Sequence, residues 1–99
     1  MMNKDLTIIA NYYGLHKQLR QTIEEMAELT QVICKAERYD LDTVRDHLAE
    51  EVADVSIMID QLEYLLGDSM VAKIRNEKIK RQLERIKDEY INNSKWQQG

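Results

Sequence analysis

The sequence predicts an all-α protein, an antiparallel helical bundle completed by oligomerisation. Three observations carry this expectation. The chain has no Pro, no Phe and only three Gly in 99 residues, and helix-forming Leu, Ile, Glu, Lys, Ala and Gln dominate it. Apolar residues recur every three or four positions rather than every two. A chain this short exposes a large share of its surface, so its core is marginal unless a second copy extends it.

The elements follow from the breakers. Asp5 is suited to cap a short helix through LTIIANYY, which Gly14 ends. A long helix then spans about Leu15 to Arg38, with Leu15, Leu19, Thr22, Met26, Leu29, Ile33 and Ala36 as its seam. The turn YDLD follows, and Asp42 or Thr43 caps a second long helix to about Leu66 whose seam is Leu48, Val52, Val55, Ile59, Leu62 and Leu66. Ala49, Ala53, Ile57 and Tyr64 lie away from that seam, so this helix is apolar almost all round and needs burial on two sides. Gly67 closes it, and Asp68 or Ser69 starts a last helix to about Tyr90 with Ala72, Ile79, Leu83, Ile86 and Tyr90 inward. Residues 91–99 read as a frayed tail of a single domain, 1–99. Short turns imply antiparallel neighbours.

Several function classes fall away. No apolar run approaches a membrane span, and the start MMNKDLTIIANYYG has too short an apolar segment for a signal peptide, so the cytoplasm is the expected location. A single Cys34 and two His build neither an internal disulfide nor a zinc site; Cys34 reads as a small, partly buried helix residue. From Gln21 to Asp68 there are thirteen acids and three bases, whereas Lys73 to Lys87 holds seven bases and two acids. An acidic body of this kind repels a nucleic-acid backbone. It suits a metal ion holding a polyphosphate better, with two mutually attracting solvated faces as the competing account. Isolated Gly14, Gly67 and Gly99 form no phosphate-cradling loop.

Two phrases resemble each other, IEEMAEL at Ile23–Leu29 and AEEVADV at Ala49–Val55. At about 100° per residue, Glu25 and Glu28 fall on the same flank of their seam as Glu51 and Asp54 do of theirs. Antiparallel packing along the seams therefore brings four carboxylates to the edge of the core. Such a group repels itself unless protonated or neutralised, and an oxygen-only donor set favours Mg²⁺ or Mn²⁺ over zinc. Taken singly, each phrase is as well explained by a solvated face, since Glu37-x-x-Asp40 repeats the spacing. The conjunction on two consecutive helices favours the site. The chain has no Glu-x-x-His, which disfavours a di-iron centre. His47, on the stripe of Glu51, is either a hydrogen-bond partner of the acids or a plain boundary histidine.

Glu24-Glu25-x-x-Glu28 followed, after twenty-two residues, by Glu51-x-x-Asp54 resembles the EExxE…ExxD signature of the MazG-like all-α nucleotide pyrophosphohydrolases, relatives of the dimeric dUTP pyrophosphatases. Tyr13-Gly14 with Gln18, Glu28-Leu29 leading to Lys35, and the basic KIRNEKIKRQLERI are similar to the small single-domain bacterial or phage members. The resemblance runs from Tyr13 to about Lys87. It implies hydrolysis of a nucleoside triphosphate, deoxy or non-standard, to the monophosphate and pyrophosphate. It also implies Mg²⁺ on Glu25, Glu28, Glu51 and Asp54, with Mn²⁺ as a substitute, and Glu24 as an outer or water-orienting acid. Lys35, Lys73, Asn76 and Lys80 would contact the polyphosphate, and the protein would be a homodimer or homotetramer. Two other classes stay open, a non-catalytic helical interaction module and a degenerate homologue that binds nucleotide or metal without turnover.

Overall fold

The computed structural model describes residues 3–98, and the side chains of all of these except Asp68 and 95–98. Four helices account for nearly every described residue: α1 (Lys4–Tyr13), α2 (Leu15–Arg38), α3 (Leu41–Leu66) and α4 (Asp68–Gln98). The protein is all-α. The helices α1 to α3 form one compact unit and α4 a second.

Local chemistry sets the helix ends. The Asn3 side chain accepts from the Asp5 amide at 2.8 Å, so the cap lies at Asn3 and the expected cap, Asp5, sits inside the first turn, where its charge suits the helix dipole. Asp40, rather than Asp42 or Thr43, caps α3 by accepting from the Asp42 amide at 3.3 Å. Asp42 instead accepts from Arg45 at 3.2 Å. In both cases an Asn or Asp two residues upstream reaches the free amide first. Gly14 and Gly67 each terminate a helix at positive φ, 82° and 115°, where a Cβ is strained even though nothing would touch it. Past Tyr90, where the sequence reading placed the frayed tail, α4 continues to Gln98. No Gly or Pro lies between Gly67 and Gly99, the latter outside the described residues.

A two-residue link makes α2 and α3 an antiparallel hairpin, with Gln18 opposite Gln61 and Glu25 near Glu51. On α2 the shielded positions are Leu15, Gln18, Thr22, Glu25, Leu29, Val32 and Ala36, with Gln21 alongside. On α3 they are Val44, Leu48, Glu51, Val55, Met58, Leu62 and Leu65, with Asp60, Gln61, Glu63 and Tyr64 alongside near its C-terminal end. Alternating steps of three and four mark an antiparallel seam of coiled-coil type. Helix α1 closes one end, burying Ala10 completely and donating from Asn11 Nδ2 to Tyr64 Oη at 3.0 Å.

This seam differs from the expected one. Gln18, Glu25 and Val32 replace Leu19, Met26 and Ile33; Glu51, Met58 and Leu65 replace Val52, Ile59 and Leu66. Each helix is turned by about half a residue's 100°, and the larger aliphatics face outward, Met26 and Val52 each half exposed. Both faces of these helices carry apolar residues, so periodicity cannot say which one faces the partner helix within the chain. Among the described residues the buried hydrophobic side chains are only Ala10, Val32 and Met58.

Candidate functional site

The turn of α2 and α3 moves the acids from the flank toward the helix interface. Glu25, Glu28 and Glu51 each offer a carboxylate oxygen, all within 4.8 Å of one another. Glu51 is only 9% exposed, Glu25 is half-buried, and Glu28 opens to solvent. The trio thus has a shielded floor and an accessible rim.

Its hydrogen bonding is incomplete. Gln21 Nε2 donates to Glu25 Oε1 at 3.0 Å, and His47 Nε2 lies 3.5 Å from Glu51 Oε1. The second oxygens, Glu25 Oε2 and Glu51 Oε2, are buried without any hydrogen-bond partner. Buried carboxylate oxygens are seldom left so, because the desolvation cost goes uncompensated. Repulsion registers at the rim, where the Glu25 carboxylate first, then Glu51 and Asp54, hold the Glu28 carboxyl above its ordinary value. The three carboxylates could hold a cation, and an all-oxygen donor set would select a hard one. Exposed acidic groups are common without an ion, but this cluster has two of its oxygens buried.

The remaining candidates are distributed as follows. Asp54, exposed on α3, is outside the close trio, though near enough for its charge to act on Glu28. Glu24 is exposed on the outer side of α2, where it lines a cleft with His16, Lys17, Arg20 and Gln21. Lys35 is exposed two turns beyond Glu28. Lys73, Asn76 and Lys80 belong to the α4 unit and are exposed on one stripe of that helix. His47 is half exposed, with its Nε2 3.5 Å from Glu51 Oε1 but no hydrogen bond between them. Cys34, expected to be partly buried, is exposed.

A polar layer beside the acids went unread in the sequence. Gln61, 1% exposed, accepts from Gln18 Nε2 at 2.7 Å and donates to the Ile57 carbonyl at 3.3 Å. Thr22 Oγ1 donates to the Gln18 carbonyl at 2.6 Å. The available signal was the spacing Gln18, Thr22, Glu25 itself, a polar stripe at helical period beside the aliphatic one.

Four helices, a hairpin of two of them and a cluster of three carboxylates are not peculiar to any one family. No family model, curated protein or solved structure matches the chain, and the likeness to the MazG-like pyrophosphohydrolases rests on its signature residues alone.

Proposed function

We propose that the protein is a Mg²⁺-dependent pyrophosphohydrolase of a nucleoside triphosphate, deoxy or non-standard, that releases the monophosphate and pyrophosphate. One observation carries the reading. Three carboxylates from two helices meet within 4.8 Å, and two of their oxygens are buried with nothing to bond.

Glu25, Glu28 and Glu51 would hold the ion, with Asp54 as a further carboxylate nearby. When bound, the ion supplies charge neutralisation on the α-phosphate and acidifies a water. In the reaction the water oxygen bonds to the α-phosphorus and the bond to the α,β-bridging oxygen breaks. Pyrophosphate carries that bonding pair away, and the water's proton passes to a carboxylate or to solvent. Glu24 orients the water, and Lys35, Lys73, Asn76 and Lys80 attract the polyphosphate. Mn²⁺ substitutes for Mg²⁺. A cytoplasmic location suits this substrate class, and no described helix is long and apolar enough to cross a membrane.

The bundle is completed by a second copy, giving a homodimer or homotetramer. Leu19, Ile23 and Met26 on α2 are exposed, and an open groove on α3 is lined by Leu41, Leu48, Ala49, Val52 and Ala53. Unpartnered apolar surface of this extent marks an interface. The same surface is what favours the second reading, a non-catalytic interaction module, over a degenerate enzyme. Incubating the purified protein with a panel of NTPs and dNTPs, with Mg²⁺ or chelator, tests the choice. Metal-dependent pyrophosphate is the expected first product; orthophosphate, or turnover in chelator, refutes the assignment.

A further inference from the structure

Hydrolysis at the α-phosphorus leaves pyrophosphate, a strongly charged product, and a group of carboxylates offers it nothing but repulsion. The α1–α3 unit carries few cations, and two pairs of them flank the acids along α2 itself, Lys17 with Arg20 on the N-terminal side and Lys35 with Arg38 on the other. The pairs are not equivalent.

Lys17 and Arg20 line a cleft together with His16, Gln21 and Glu24. Lys17, Gln21, Glu24 and Glu28 follow steps of four, three and four, so at about 100° per residue they form a ribbon within roughly 60° of one another. Arg20 borders it. Gln21 joins cleft to acids directly, since it lines the one and its Nε2 donates at 3.0 Å to Glu25 of the other. The Lys17 ammonium is held over the Tyr13 ring, 4.8 Å from its centroid, a contact that orders a flexible side chain before any ligand arrives. Neither Lys17 nor Arg20 has a carboxylate partner among the described residues, whereas Arg45 of the same unit is engaged by Asp42 at 3.2 Å. Helix direction separates the two pairs further. An anion beside the first turn of α2 meets the favourable end of the helix dipole, whereas Lys35 and Arg38 sit in the last turn, where that dipole repels anions.

Resting on the pyrophosphohydrolase reading, we infer that the cleft of Lys17, Arg20 and Gln21 seats the terminal phosphates of the substrate, next to the carboxylates that act at its α-phosphate. Along the axis Arg20 lies about 7.5 Å and Lys17 about 12 Å from Glu25 at 1.5 Å per residue, and at 100° per residue they are turned about 140° and 80° from it, toward the side of Glu28. The Lys and Arg side chains span much of that gap, and an extended triphosphate covers the rest. Arg20 presents a planar fork suited to two phosphate oxygens and Lys17 a point charge. The base and sugar then lie on the opposite side of the carboxylates, away from the first turn of α2.

Inorganic tripolyphosphate tests the cleft without knowledge of the base. Its affinity is measured by calorimetry in the presence of Mn²⁺ for the wild type, Lys17→Ala, Arg20→Ala, Lys17→Arg, Lys35→Ala and the exposed control Lys4→Ala. Mn²⁺ binding alone is followed in parallel by electron paramagnetic resonance. The expected result is a loss of at least ten-fold in tripolyphosphate affinity for Lys17→Ala and for Arg20→Ala, partial recovery in Lys17→Arg, a smaller loss in Lys35→Ala, little change in the control Lys4→Ala, and Mn²⁺ binding alone unaltered throughout. Equal losses in Lys4→Ala, or a greater loss in Lys35→Ala than in either cleft variant, overturn the inference. So does a wild type that binds Mn²⁺ but not tripolyphosphate. A wild type that binds no Mn²⁺ overturns the carboxylate reading, and the cleft inference with it.

Discussion

Gln18 and Gln61 share a 2.7 Å hydrogen bond at the most buried point between α2 and α3, two helical turns from Glu25. A buried amide pair is costly to break and cheap to replace as a unit, because removing one partner strands the other while removing both strands nothing. It also fixes how α2 is rotated against α3, and so which acids face inward.

Gln61→Ala is therefore expected to destabilise the fold by about 2 to 4 kcal/mol, from the stranded Gln18 amide and the cavity together. The double variant Gln18→Leu/Gln61→Leu is expected to lose much less. Chemical denaturation of both single variants and the double checks this, and equal, additive losses would show that the pair is not coupled.

If the pyrophosphohydrolase reading holds, Glu51→Gln or Asp54→Asn is expected to remove activity, and to leave the metal-free protein at least as stable as before. For Glu51 the gain is expected because neutralisation relieves a buried charge whose Oε2 has no partner, while the exposed side of its contact with His47 is worth little. Thermal melts in chelator decide it. A clear loss of stability would make these acids structural partners instead.

The Glu28 carboxyl titrates above its ordinary 4.5 because Glu25, and then Glu51, repel its charged form. The folded protein therefore holds this proton at pH values where the unfolded chain has released it. Stability consequently falls as pH rises from the ordinary value through the raised one, and the deficit persists above it. Metal-free melts across mildly acidic pH should show this component in the wild type and not in Glu28→Gln. Saturating Mg²⁺ should suppress it. A wild type and a Glu28→Gln variant with identical pH profiles would refute the electrostatic account.

How much of this was legible in the sequence depends on which interaction decided each feature. Glycines at 14 and 67 set helix ends through backbone sterics alone, so those ends were readable. Asp40 and Asn3 displaced the expected caps Asp42 and Asp5 because two side chains of equal propensity compete and only geometry selects between them. The trio Glu25, Glu28 and Glu51 was readable from its repeated spacing, whereas the burial of Gln18 rather than Leu19 was not. That choice depends on which face is left for a partner, and a hydrophobic period does not rank two apolar faces.

The outward aliphatics give an expectation for assembly. If Leu19, Met26 and Val52 form the contact with a second copy, Met26→Glu and Val52→Glu place uncompensated charge in it and shift the protein toward monomer. Sedimentation at micromolar concentration reads this directly. A wild type that is already monomeric refutes the oligomer.

The last expectation concerns α4. Lys73, Asn76 and Lys80 stand three and four residues apart and share an exposed stripe, beside the apolar positions Ala72, Ile79 and Leu83. Arg85 lies on another side, roughly 120° from Lys73 at 100° per residue. If the stripe holds polyphosphate, Lys80→Ala weakens nucleotide binding by about 1 to 3 kcal/mol, the range for a charge-assisted contact, and leaves metal binding alone unchanged. A solvated cationic face predicts instead that Lys80→Ala matches Arg85→Ala, since each removes one positive charge from the same helix. Measuring KM and kcat for Lys73→Ala, Asn76→Ala, Lys80→Ala and Arg85→Ala separates the two. Asn76 is the most telling of the four because it carries no charge: a rise in KM on its removal requires a specific contact, and no change in long-range attraction can produce it. If all four variants behave alike, the polyphosphate is held without α4, and the cations of α2 are the ones left to hold it.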